Sequence, residues 1–362
     1  MTARTAQDIW TDETARRAGH ADGAAFAQAH GLKKYRLQQL YRAAAKEFVA
    51  DVAGLTVLPK ELRSALAAEG YSFDSVAPVV VQHSNDKQTI KGLFRLHDGN
   101  EVESVLMQHH NERNTICISS QAGCAYACAF CSTGQAGFTR HLTATEIFDQ
   151  ARYWARRLAQ QGRKVTNVVF MGMGEPFHNY APVMDAVRLL NDPNGFGLGH
   201  RHITISTVGV VPQIDQFAGE DIQVNLAISL HAPTDEVRSS IMPVNRKWPV
   251  AELMAAVERY ISKSKRKVFF EYVMLDGVND RPQDAQALAR LMRGPLYHVN
   301  IIPYNATPDA KLGATGDERI RAFTAILEAT GIACTVRIPM GRDIAAACGQ
   351  LRAETQPRAH AN

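Results

Sequence analysis

No run of about 18 consecutive apolar residues occurs in this chain, so nothing in it reads as a membrane-spanning helix. The N-terminus lacks the basic, apolar and small-residue succession of a secretory leader. Six cysteines in 362 residues are too few for a disulfide framework, and their clustering points instead to metal-cluster or redox chemistry in a reducing compartment. A cytoplasmic protein with no membrane contact is the expectation. An excess of charge of one sign is also missing. Forty Lys and Arg against 36 Asp and Glu leave a formal charge of +4, which excludes a global basic field and confines any nucleic-acid site to a local patch. Repeats, low-complexity tracts and long linkers are absent too. What remains is 46% hydrophobic and 21% charged, a balance that supports a sizeable core and argues against disorder. The length suits one large domain plus a small one.

Residues 1–20 are polar and are expected to be poorly ordered. Residues 23–70 read as helical. Leu37, Leu40 and Tyr41 share one helix face, and Leu55, Leu58, Leu62 and Leu66 mark a second region in which Pro59 can open a helix. Lys33, Lys34, Arg36, Arg42 and Lys46 occur without an acid between Ala24 and Lys46. Such a basic face suits a phosphate backbone, although a solvated helix face is the simpler reading of the charge alone. Residues 89–96 and 101–108 flank His97-Asp98-Gly99-Asn100, a hairpin signal. From there strands and helices alternate. Strands are expected at 115–120, 165–171, 202–206, 223–229, 267–274, 297–302 and 333–338. Thr143 and Glu146 form a capping-box pattern with Leu142 and Ile147 as its staple. A helix after Pro249 aligns Val250, Leu253, Met254, Val257 and Ile261. Repeated strand–helix units imply an α/β fold with a parallel sheet, open or curled into a barrel. The expected division is an N-terminal helical region at 1–85, a β-hairpin linker at 86–114 and a core at 115–362.

The most unusual stretch is Cys117–Phe138, CISSQAGCAYACAFCSTGQAGF. Cys124, Cys128 and Cys131 stand in a C-x3-C-x2-C triplet. A cubane iron–sulfur cluster normally takes four protein ligands, so three thiolates leave one iron open to a small molecule. A zinc site would want a fourth ligand at paired spacings, which the loop does not offer. Three unrelated buried thiols are the blander alternative. Other unusual segments also fall at or just after strand ends: Gly172-Met173-Gly174-Glu175-Pro176, Ser206-Thr207, Ser229-Leu230-His231, Tyr304-Asn305 and the approach to Cys348. In a parallel barrel those ends share one face, which carries the active site. The glycines permit tight turning and close approach to a ligand. Glu175 can accept from an ammonium, and Ser206, Ser229 and Asn305 can bind hydroxyls or a carboxylate. Each of these, and His231, is individually as well explained by a structural role.

The cysteine triplet with Phe130 resembles the signature of radical S-adenosylmethionine (SAM) enzymes. FMGMGEP, ITISTVGVVP, NLAISLHAP, EYVMLDGVND, IPYN and DIAAACGQL extend the likeness across about residues 35–352. The chain resembles the RlmN/Cfr family of radical SAM RNA methyltransferases. The resemblance implies a partial (β/α)6 barrel with a small N-terminal helical domain that helps bind RNA. It also implies a [4Fe-4S] cluster held by Cys124, Cys128 and Cys131 that chelates SAM. Gly174, Glu175, Ser206, Ser229, Leu230, His231 and Asn305 would lie around SAM. Members methylate an adenosine of 23S rRNA: RlmN-type members at C2, acting also on certain tRNAs, and Cfr-type members at C8, conferring ribosome-directed antibiotic resistance. In the implied mechanism Cys348 carries the methyl group, Cys117 resolves the covalent RNA adduct through a disulfide, and Glu103 accepts a proton. An electron donor such as a flavodoxin-type protein and a monomeric state are further expectations. Cys334 is left as a core residue. Two alternatives stand beside this reading: a radical SAM enzyme with a non-RNA substrate, and a non-catalytic iron–sulfur RNA-binding factor. Sequence segments of both subtypes are mixed, so the methylated carbon stays open.

Overall fold

The computed structural model describes residues 4–306 and 311–352. Four helices come first: α1 (Ala6–Arg17), α2 (Gly23–Ala29), α3 (Lys34–Ala45) and α4 (Lys60–Ala68). The polar N-terminus, expected to be poorly ordered, is therefore largely helix α1. Thr5 Oγ1 accepts from the Asp8 amide at 3.2 Å and Asp8 returns a bond from the Thr5 amide at 3.1 Å, a reciprocal cap that satisfies two orphan donors. Ile9 and Trp10 then bury completely, which fixes the segment to the fold. In α3 the periodicity holds, with Leu40 and Tyr41 buried and Leu37 packed against the core. Pro59 occupies the N-cap of α4.

An antiparallel meander follows, β1 (Val76–His83), β2 (Thr89–Leu96) and β3 (Glu101–Gln108). The β2–β3 hairpin matches the sequence expectation. β1 was not expected: it lies beyond the 23–70 stretch read as helical but inside the N-terminal helical region expected at 1–85. Its Pro78 disguises it. Proline removes a ladder donor and is confined to edges and bulges, and here the register slips between Pro78 and Val80 on a strand that pairs with β2 alone.

The remaining elements are β4 (Asn114–Cys117), β5 (Gln121–Gly123), α5 (Ser132–Ala136), β6 (Phe138–His141), α6 (Ala144–Ala159), β7 (Asn167–Phe170), α7 (Tyr180–Asn191), β8 (Ile203–Thr207), α8 (Val211–Phe217), β9 (Asn225–Ser229), α9 (Asp235–Ile241), α10 (Val250–Ser264), β10 (Val268–Met274), α11 (Pro282–Leu291), β11 (Tyr297–Pro303), α12 (Asp317–Ala329) and β12 (Cys334–Val336). Ten strands form one sheet in the order β1-β2-β3-β4-β7-β8-β9-β10-β11-β12. From β4 to β11 six strands run parallel, and the three-residue β12 extends them. The fold is α/β with a mostly parallel sheet. The first parallel strand stops at Cys117, short of the expected residue 120, because the chain leaves the sheet to pair β5 with β6. Helix α6 begins with the expected capping box.

Residues 341–352 return from the β12 side to the β2–β3 side. The Asn85 amide donates to Asp343 at 2.7 Å, Lys91 Nζ donates to the Ala345 carbonyl at 3.4 Å, and the Arg352 amide donates to Glu103 at 2.8 Å. One short segment bonded to both sides requires the sheet to curl around it. No described helix is long and apolar enough to cross a membrane.

The N-terminal helices are fixed to α6 by a buried ionic group. Arg152 Nε donates to Asp149 at 2.8 Å, its Nη2 pairs with Asp74, and both Arg152 and Asp149 side chains are wholly inaccessible. Asp149 also takes the Ser75 amide and hydroxyl at 2.8 and 2.6 Å. Removing one member of such a group strands the others. Arg152→Met is expected to cost about 3–5 kcal/mol, measured as a lowered urea midpoint, whereas Arg156→Met, at the partly exposed side of Asp74, should cost about 1 kcal/mol or less.

Candidate active site

The cysteine loop sits between β5 and β6. Cys128 is buried, and Cys124 and Cys131 are partly accessible. The loop is fixed by main-chain bonds. Cys124 N donates to the Gly137 carbonyl at 2.7 Å, Ala129 N to Ile241 at 2.9 Å and Cys131 N to Cys128 at 3.1 Å. Burial, then Glu175 and Cys131, push the Cys124 thiol up to about 12, and burial with its two sister thiols pushes Cys128 well above the ordinary range. The three sulfurs thus sense one another. Yet they do not converge as ligands of one ion. Among the described residues only His20, His30 and Glu69 bring three ligand atoms within 4.8 Å. Thiols close enough to couple, too widely spaced for a single ion and, among the described residues, joined by no fourth ligand suit a larger cluster with one open corner. Cys124, Cys128 and Cys131 fit a [4Fe-4S] cluster.

The Gly172–Pro176 turn faces this loop. Gly174 has φ +96°, and a Cβ there would lie 2.5 Å from Gln121 Cβ and 2.8 Å from its amide nitrogen, so only glycine fits. Next to it Glu175 is 2% exposed. Its carboxylate accepts from the amides of Phe177 at 2.9 Å and Val208 at 2.8 Å. These bonds lower its pKa, but burial outweighs them and raises it to about 7. A ligand ammonium would offset that desolvation.

A polar row crosses the floor of the sheet. Ser229, Glu271 and Asn300 are register partners on β9, β10 and β11. Ser206 Oγ lies 3.4 Å from Ser229 Oγ, and Asn300 donates to Glu271 at 2.8 Å. Tyr272, one residue on, packs against Phe323 of α12, so alternation turns Glu271 to the opposite, inner face. Burial raises Glu271, with Arg337 and Asn300 opposing. Sequence reading missed Glu271, although a carboxylate in the middle of the apolar run VFFEYVM was the available signal.

His231 sits at the end of β9 with φ +57°. Its Nδ1 accepts from the Val273 amide at 3.0 Å, and its ring packs edge-on against Phe130 with centroids 4.7 Å apart. The accepting Nδ1 leaves the proton on Nε2. Burial and Arg238 lower its pKa to about 3, so it stays neutral and supports the loop. Leu230 is fully buried, its amide bonded to Glu271 and its carbonyl to Arg238. Asn305 donates to the Cys348 carbonyl at 3.4 Å and accepts from Arg342 at 2.6 Å. Its amide thus serves the C-terminal segment.

Arg238, also missed, is 1% exposed and reaches Leu230, Val208 and Ser229 carbonyls at 3.0, 2.7 and 3.2 Å. Burial lowers its pKa to about 10, and Cys128 acts in the other direction. It places a buried positive charge under the cysteine loop.

The C-terminal segment brings Cys348 to this edge. Ser132 N donates to the Gly349 carbonyl at 2.8 Å and Thr133 Oγ1 to Leu351 at 2.5 Å. Cys348 is open to solvent, yet enough protein surrounds its sulfur to push the thiol up to about 12, with Glu271 and Cys131 adding to the effect. Cys117, buried at the end of β4, is pushed up to about 12 by burial and by Cys348. Glu103 lies on the same sheet face, two residues before the register partner of Cys117. It pairs with Lys91 at 2.9 Å. Cys334 is half-buried against the core.

Comparison with known proteins supplies the family. The Radical SAM superfamily model matches residues 118–291. A probable dual-specificity RNA methyltransferase RlmN of Chloroflexus aurantiacus is 49% identical over 90% of this chain and 88% of its own length. The ribosomal RNA large subunit methyltransferase N of Nitrosopumilus maritimus is 43% identical over 90% of this chain and 94% of its own. This chain belongs to the RlmN family. A radical SAM methyltransferase of Sphaerobacter thermophilus superposes with a TM-score of 0.89 at 47% identity, covering 97% of this chain and all of that one. Membership makes this RlmN-family chain a radical SAM enzyme of the one-carbon transferase class.

Because folded Glu175 holds its proton to about pH 7 rather than 4.5, the ligand-free protein takes up a proton on folding within that window. Stability from this group is present below the window and lost as pH rises through it, at up to about 1.4 kcal/mol per pH unit. Glu175→Gln should remove that slope, read as the difference between wild-type and variant urea midpoints across pH 5–8.

Proposed function

We propose that this RlmN-family chain methylates C2 of an adenosine in 23S rRNA, and of a tRNA adenosine, through a methyl group carried on Cys348. The observation that carries the reading is that the segment holding Cys348 is bonded both to the cysteine loop, through Gly349 and Leu351, and to Glu103, two residues before the register partner of Cys117. This brings the neighbourhoods of two thiols 231 residues apart in sequence to one edge. The names of the relatives support RNA as the substrate, and C2 is the carbon that the likeness to RlmN-type members implies.

When bound, the cluster and SAM supply one-electron cleavage of SAM to a hydrogen-abstracting radical. Cys348, as its thiolate, would first take a methyl group from one SAM by displacement, with S-adenosylhomocysteine as the leaving group. Loss of a hydrogen atom from that methyl group leaves a carbon radical on sulfur, which bonds to C2 of adenine. C2 is electron-poor and does not attack a sulfonium methyl, so a polar route fails where radical addition succeeds. The adduct would give up one electron, for which the bound cluster in its oxidised form would be the acceptor, and Glu103 would take the C2 proton. It enters as the carboxylate of an ion pair with Lys91, within general-base logic. Cys117 sulfur then attacks Cys348 sulfur. The disulfide forms, the carbon–sulfur bond breaks, and the freed carbon takes a proton to become the methyl group.

Gly174 and Glu175 would meet the SAM amino group, and Ser206 and Ser229 its hydroxyls. Leu230 and His231 would wall the site. Asn305 would act through the Cys348 segment. The N-terminal helices would contribute an RNA surface, although Arg36, Arg42 and Lys46 already bond Val57, Glu47 and Pro193 respectively. A flavodoxin-type electron donor, a cytoplasmic setting and a monomeric enzyme complete the proposal.

The test is mass spectrometry of 23S rRNA and tRNA after anaerobic reaction with reconstituted enzyme, SAM and reductant. 2-Methyladenosine is the expected product, while 8-methyladenosine or unmodified RNA with continued 5′-deoxyadenosine release overturns the assignment. Cys348→Ala should give no methylated base. Cys117→Ala should instead accumulate a covalent protein–RNA adduct, seen as a band sensitive to ribonuclease.

A further inference from the structure

The N-terminal helices hold a group of side chains that the reaction does not use. His20 follows the end of α1, His30 is the C-cap of α2 and Glu69 is the C-cap of α4. Their ligand atoms all lie within 4.8 Å of one another. His30 Nε2 is 2.9 Å and His20 Nε2 3.5 Å from the same carboxylate oxygen, Glu69 Oε2. Tetrahedral zinc, with bonds of about 2.0–2.1 Å to nitrogen and oxygen, places its ligand atoms about 3.3 Å apart, a value between these two distances.

A second observation points to a ligand. The His30 side chain is 8% exposed. Its Nε2 is buried and has no well-directed hydrogen bond among the described residues, despite the nearby carboxylate. A polar nitrogen stripped of water and not properly bonded costs free energy, and this one is aimed into the space between the three groups. The rings are also positioned in advance. Phe26 packs against His20 at 5.3 Å and against His30 at 4.9 Å, and it stacks on Tyr71 at 4.8 Å. Ordering the two imidazoles is therefore largely done by the apolar core, which leaves little entropy to lose on metal binding.

We propose that His20, His30 and Glu69 form a site for a divalent transition metal of the zinc type, with the fourth position open to water. Two imidazoles and one carboxylate favour such an ion over magnesium or calcium, which want more oxygen ligands. The metal would tie the α1–α2 turn to the end of α4 and stabilise the module. It stands apart from the cysteine loop in both residues and ligand type.

The experiment uses the whole chain with its iron–sulfur cluster reconstituted, passed over a chelating resin and then titrated with zinc chloride alone. Zinc and iron per chain are measured by mass spectrometry after desalting, and the thermal midpoint is followed in parallel. One retained zinc per chain and a raised midpoint are expected. His30→Ala and Glu69→Gln should each weaken retention by on the order of tenfold or more with iron content unchanged. Glu69 is exposed and glutamine keeps its volume, so this variant reads the site even if His30→Ala folds poorly. No retained zinc in the wild type, or equal zinc in wild type and Glu69→Gln, overturns the proposal and leaves the three groups as an ion pair only.

Discussion

The catalytic edge depends on one buried guanidinium. Parallel strands that all end on one face leave carbonyls there without ladder partners, and a buried carbonyl without a donor is costly. Arg238 supplies donors to Val208, Ser229 and Leu230 at once, and its remaining nitrogen bonds Asn245. The same cation faces Cys128. One side chain thus satisfies the ends of β8 and β9 and sets positive charge where an anionic cluster would need it. A lysine has the charge but not the planar fork.

The second constraint is closure. A sheet whose edges stay apart would leave Cys117 on one side and Cys348 on the other. Residues 341–352 lie across the gap, bonded to β2 and β3 through Asp343, Ala345 and Arg352 and to the cysteine loop through Gly349 and Leu351. Asn305, at the end of β11, fastens the same segment at the Cys348 carbonyl. The placement of Cys348 is consequently a product of contacts with residues 43 to 258 positions away. Such contacts carry a large loop-closure cost on folding. They are formed by a few polar bonds and the small buried surfaces of Ala346, Ala347 and Leu351.

Local chemistry was legible and long-range chemistry was not. The cysteine triplet, the Gly172–Pro176 turn, the Thr143 capping box and the hairpin at His97–Asn100 each carry their instruction within a few residues. The strands of the barrel announced themselves as apolar runs. β1 escaped because proline in an edge strand mimics a loop. α1 escaped because its mean polarity masks a capped start and two wholly buried side chains, Ile9 and Trp10. Arg238 and Glu271 were hidden for a different reason. A buried charge has the same letter as a solvated one, and only the partners that surround it reveal which it is. Asn305 shows the converse: its position at a strand end was legible, but its tie to Arg342 and Cys348 was not.

The N-terminal helices are joined to the barrel by more than proximity. Trp10 packs with Tyr41 and Phe73, and Tyr41 reaches across to Asp192 at 2.7 Å. Glu13 accepts from the Thr145 amide at 2.7 Å, and Arg17 donates to the Thr145 hydroxyl at 2.8 Å, so α1 helps cap the first turn of α6. Arg152 completes the joint from the other side through Asp74. Capping, apolar burial and a desolvated ion group all act on α6, whose own N-terminus follows the cysteine loop after α5 and β6. A shift of the helices would therefore be felt at the loop through α6. These contacts, together with the burial of Ile9 and Trp10, explain why a polar N-terminal segment is folded at all.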